Sequence, residues 1–153
     1  MAPIAENTQG TFSSNYKLKG ELADNFTPIF KTIVGGGIVK IENAELKGMK
    51  VMSHISNITN KKEMTDPTIK DIVMTSEIKG GKVFVNPFTF QLGKYITSLE
   101  GSHSFENEIN YLLKISVPPF NKIRIPFHVT GTVDKPVVRL GKGHEEYDFS
   151  KME

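Results

Sequence analysis

The chain has 153 residues, 38% hydrophobic and 24% charged, with 19 Lys and Arg against 17 Asp and Glu for a net charge of +2. That is enough for one soluble domain burying roughly two thirds of its unfolded surface, and the scattered basic residues exclude the basic stripe of a nucleic-acid binder. The absence of cysteine excludes disulfides and thiol catalysis but leaves the compartment open, and no apolar run approaches the roughly 18 residues of a membrane-spanning helix.

Residues 1–10 are small and polar and read as a disordered lead. No signal peptide is visible, and Met1-Ala2-Pro3 looks like an expression start on a piece of a longer chain. Phe12, Ser14, Tyr16, Leu18, Gly20 and Leu22 then alternate with Lys17, Lys19 and Glu21, the period of a strand with one apolar face. Asp24-Asn25 ends it, and Thr27-Pro28 predicts a capped helical turn over Ile29–Ile33. Gly35-Gly36-Gly37 is followed by Ile38-Val39 rather than by the Lys and hydroxyl residue of a phosphate loop. The triplet therefore predicts a chain reversal into a strand over Ile38–Leu46. Beyond Gly48, the residues Met49, Met52, Ile55 and Ile58 recur every three positions and predict the one helix, Met49 to Thr59, with Val51 off its stripe. Its place is as a plug at one end of the sheet's apolar face. It lacks the basic polar face and bulky aromatics of a membrane-surface helix.

A polar loop follows through Asp66-Pro67, then a strand over Thr68–Ile78 with Ile72, Met74 and Ile78 on one face, and a Gly80-Gly81 hairpin. From Lys82 to Val133 the two-residue alternation is cleanest. Phe84, Phe88, Phe90 and Leu92 fall at even positions, with Pro87 predicting a bulge or break. Tyr95, Thr97, Leu99 and Gly101 form a thinner strand, and Ser102–Asn107 a polar turn. Ile109, Tyr111, Leu113, Ile115 and Val117 form a long strand stopped by Pro118-Pro119. Ile123, Ile125, Phe127, Val129 and Val133 form the next, with Pro126 on the wet face, and a short strand over Val137–Leu140 closes the domain at residue 140. Gly141 to Glu153 reads as a mobile polar tail. About eight strands with short turns predict a mainly β fold. The expected architecture is a strongly curved antiparallel sheet, half-barrel or groove-like, with one short amphipathic helix at one end.

No catalytic constellation is visible. His54, His103, His128 and His144 lack metal-ligand spacing, His128 reads as a solvated strand residue and His103 as a turn residue. Glu106 and Glu108 fall at a loop and a strand start and read as exposed. What remains is apolar area. One helix about 16 Å long is too short to cover strands about 33 Å long, so the sheet curls on itself or something else fills its face.

Several segments resemble the C-terminal region of the AsmA-like proteins of Gram-negative bacteria, particularly those of the Bacteroidetes. They are the run from Leu18 to Pro28, Gly35 to Gly48, Lys82 to Phe88, Gly101 to Phe105 with Ile109-Asn110-Tyr111, and Val129 to Val138. Together they cover roughly residues 16 to 140 in the family's order and spacing. The resemblance implies a periplasmic module of a protein anchored in the inner membrane by an N-terminal helix. It also implies a role in outer-membrane biogenesis, with phospholipid tails travelling along an apolar β-groove, and it brings no catalytic motif and no cofactor. The chain itself carries neither that anchor nor the long preceding β region.

The expectation is thus a non-catalytic, lipid-handling module whose groove is lined by Phe84, Phe88, Phe90, Tyr111, Leu113, Ile115, Ile125, Phe127 and Val129. Its expected partners are phospholipid or another acyl-chain lipid and the remainder of a longer chain. The alternative is a structural or protein-interaction cap that pairs through an edge strand with a preceding β region, a partner or a second copy.

Overall fold

The structure, a computed structural model, describes residues 8–116 and 124–141. Strand β1 spans Thr8–Lys19 and β2 Val34–Leu46, and the helix α1 spans Lys50–Thr59. Strands β3 (Thr68–Lys79), β4 (Lys82–Leu92), β5 (Tyr95–Ser104), β6 (Ile109–Ser116), β7 (Arg124–Gly131) and β8 (Pro136–Leu140) follow. All eight lie in one sheet in chain order, each antiparallel to its neighbours. The fold is mainly β, and β1 and β8 do not pair, so the sheet is curved and open.

Curvature follows from where α1 sits. It interrupts the β2–β3 hairpin yet packs against β8, five strands beyond β3. In a flat sheet those five steps would span about 24 Å, twice the width of a helix. Lys50 at the helix start donates from Nζ to the Asp134 carbonyl just before β8, 2.7 Å away. Met52 and Ile55 join one buried cluster with Ala44 of β2, Ile69 of β3, Leu92 of β4, Tyr95 of β5, Ile115 of β6 and Phe127 of β7. One helix reaches strands from β2 to β8 only because the sheet wraps around it.

Extra residues help to bend it. Thr11 pairs with Asn43 but Phe12 with Ile41, leaving Glu42 as an insertion in β2. Asp71 in β3 has φ 55°. On β4, Asn86 and Pro87 together oppose Glu100, between the pairs Val85–Gly101 and Phe88–Leu99. That is the bulge the proline predicts, and such insertions bend a strand and tighten its twist. The irregularities of β3 and β4 lie at different levels. Their ladder therefore breaks between Lys70–Gln91 and Ser76–Val85, where Asn86 Nδ2 donates to Thr75 Oγ1 instead.

Several boundaries differ from expectation. Thr8 to Gly10 belong to β1 rather than to a lead, and β1 stops at Lys19, with Leu22 making only an isolated bridge to Pro28. The expected helical turn is a single 3₁₀ turn, Phe30–Thr32, without a side-chain cap, because Ile29 stands at the cap position while the Thr27 hydroxyl donates to Asn25 Oδ1. The glycine triplet lies inside β2, not at a reversal. Gly37 is needed there because the Tyr16 ring lies over it, 2.6 Å from where a Cβ would stand. Residues 1–7, the Pro118-Pro119 stop and the tail beyond Gly141 lie outside the described residues.

Candidate functional site

Residues paired across antiparallel strands share a face, so the register assigns the concave side. One row runs Phe88–Leu99–Leu113–Phe127, the next Phe90–Thr97–Ile115–Ile125, and a third Val85–Gly101–Tyr111–Val129. Eight of the nine expected groove residues thus come together on one face: Phe88, Phe90, Tyr111, Leu113, Ile115, Ile125, Phe127 and Val129. Phe84 does not join them. It pairs with Glu77 and Ser102 on the convex side, because the bulge at Asn86-Pro87 reverses the alternation within β4. Val83 and Val85, both buried, point inward in its place.

The helix plug is also adjusted. Met52 and Ile55 are buried, and Met49 and Val51 pack at the edge of the cluster, so Val51 belongs to the apolar stripe after all. Met49 precedes the helix rather than starting it. Ile58 is 43% exposed and does not plug the core. It stands at the rim of an open apolar cavity of about 180 Å³. Ile58 and Thr59 of α1 form one wall, and Lys61 and Met64 of the following turn form the next. The rest is Tyr95 of β5, Ile115 of β6, Ile125 and Phe127 of β7, and Leu140 of β8. Met64 and Tyr95 lay outside the expected site. Met64 is an isolated apolar residue in a loop read as polar, though it is only 2% exposed.

The cavity mouth carries charge. Lys61 Nζ lies 5.7 Å and Lys94 Nζ 5.5 Å from the centre of the Tyr95 ring, within range of cation–π attraction. The Tyr95 hydroxyl donates to Glu63 Oε1 at 2.9 Å, and Lys94 lies 3.4 Å from the same oxygen. Backbone and Tyr95 hydrogen bonds hold the Glu63 carboxyl below its ordinary pKa, and the bond to Glu63 raises that of Lys94.

At the opposite end, two tyrosines lie over glycines on the concave face. Tyr16 crosses Gly37 to reach Ser76 Oγ at 2.8 Å, tying β1 to β3. Tyr111 crosses Gly101, and its hydroxyl sits 2.6 Å from His103 Nδ1. Burial raises the Tyr111 pKa and lowers that of His103, so both stay neutral at pH 7. His103 is therefore a strand residue on the concave face rather than a turn residue. His128 lies on the convex side, where Nε2 is 2.7 Å from Asn110 Oδ1, and it is half-buried rather than freely solvated. Glu106 and Glu108 are exposed, as expected. Among the described residues no three His, Asp or Glu cluster with metal-site geometry, and no helix is long and apolar enough to cross a membrane.

Toward β1 the concave face is uncovered. Phe12 is 72% exposed and Leu18 57%, although both stand on the inner side, paired with Ile41 and Gly35. The face is thus filled by α1 and its cluster on one side and open on the other. Comparison of the chain with protein-family models, with curated proteins and with solved structures finds no match.

Proposed function

We propose that this chain is a non-catalytic module that shelters acyl chains on the concave face of its sheet, within a cell-envelope protein of the AsmA-like kind. Outer-membrane biogenesis, a periplasmic setting and an inner-membrane anchor elsewhere in a longer chain belong to this proposal and rest on the sequence resemblance. The observation that carries it is the inward apolar surface that continues past the plugged core to the uncovered Phe12 and Leu18. Large apolar residues left open on a concave surface mark a place for an apolar partner. The mechanism is passive: each methylene removed from water contributes about 0.8 kcal/mol, and no bond is made or broken.

Native mass spectrometry after incubation with vesicles of phosphatidylethanolamine and phosphatidylglycerol tests this. The expected result is a bound species with the mass of one phospholipid. A chain that emerges lipid-free at every vesicle concentration overturns the proposal.

The outer edge of β1, unpaired among the described residues, favours a second reading. Among the described residues, the twelve from Thr8 to Lys19 present one free edge, the feature that accepts an added strand. In this reading the module is a cap that continues a preceding β region. The two are compatible, since a strand added at β1 would lengthen the same concave face.

A further inference from the structure

We propose that the cavity beside the C-terminal end of α1 receives the tail of a fatty-acid carboxylate, with Lys61 as its counter-ion. This rests on the acyl-sheltering reading and adds a ligand class to it. Size selects one chain. A cavity of about 150 Å³ accepts a six-carbon ring, so the 180 Å³ here accommodates on the order of six or seven carbons of a single tail. A two-tailed lipid does not fit within it. The walls supply the apolar half of the match, through Ile58, Met64, Ile115, Ile125, Phe127 and Leu140.

Charge selects the head. Of the two ammonium groups beside the Tyr95 ring, Lys94 is paired with Glu63, and Glu63 is held again by the Tyr95 hydroxyl. Lys61 lines the cavity and makes no ion pair among the described residues. Among the described residues, two cations and one carboxylate leave the mouth one positive charge in excess. The cavity and the charge adjoin, as the tail and head of an amphiphile do.

Decanoate and 1-decanol, equal in length and different in charge, are the probes. Binding is followed on the Met64 methyl resonance of ¹³C-methyl-methionine protein. Both probes should shift Met64, decanoate with the higher affinity. Lys61→Gln should weaken decanoate about threefold to fivefold, the size of one partly exposed ion pair, and leave 1-decanol unchanged. Ile58→Trp, at an exposed rim position, should fill the cavity and abolish both shifts. Equal loss of both probes in Lys61→Gln, or decanoate binding that leaves Met64 unmoved, overturns the assignment while acyl sheltering stands. Failure of both probes to bind anywhere on the protein removes the acyl-sheltering reading as well.

Discussion

Glu100 has 8% of its surface exposed, and its Oε2 has no hydrogen-bond partner among the described residues. It lies on the convex face opposite the Asn86-Pro87 bulge and across from Leu112, itself 1% exposed. Burial raises its pKa above 4.5, against the opposing pull of Lys114. The folded protein then holds this proton more tightly than the unfolded chain. Stability from this group is full below pH 4.5, falls as pH rises through the folded pKa, and stays lost above it. Glu100→Gln should therefore stabilise the fold at pH 7 by about 1 kcal/mol and have little effect at pH 4, read from urea unfolding at the two values. An equal effect at both would show that the carboxylate is compensated. His103 and His128 act with the opposite sign: burial lowers both from 6.5, so their contribution is present above that pH and is lost as pH falls through their folded values.

At the scale of the element, α1 holds the curved sheet to a core. Ile55 is fully buried between strands of both halves, and Ile55→Ala should cost about 3 kcal/mol in urea unfolding. A loss below about 1 kcal/mol would mean that the helix is only laid on the surface. The helix was legible because its spacing and the Gly48 boundary agree, and the structure ends it on Asn60, which takes the left-handed cap at φ 54°. The strands were legible for the same reason, as alternation, turns and proline each pointed to one register. What escaped was parity. Pro87 signalled a bulge, but an inserted residue also turns every side chain beyond it to the other face, which is why Phe84 parts from Phe88. Asp71 carries no such signal, and Ile69, buried in the core, stands out of step with Ile72. The glycine triplet was misplaced because glycine marks both a reversal and a close approach. Only the Tyr16 ring over Gly37 decides between them. Lys61 and Met64 of one turn meet Tyr95 of a distant strand in space, and no local pattern links them.

At the scale of the molecule, the two edges of the sheet are unlike. β8 is five residues long and lies against α1, whereas β1 is twelve residues long and, among the described residues, unpaired on its outer side, with its Phe12 and Leu18 exposed. Short or covered edges resist association and long apolar ones invite it. The isolated chain should therefore self-associate as its concentration rises, through β1. Phe12→Lys should shift sedimentation velocity profiles toward the monomer without lowering the melting temperature by more than a few degrees, since the side chain is already 72% exposed. Self-association that persists unchanged in this variant would place the contact elsewhere.

The bond between the Lys50 ammonium and the Asp134 carbonyl spans 84 positions of sequence, while every rung of the sheet joins chain neighbours. Among the described residues α1 is thus the strut across the trough, and the strands are its wall. Sliding the strut off β8 would widen the trough without breaking a single rung. Bore and backbone pairing are thus separate degrees of freedom in this architecture.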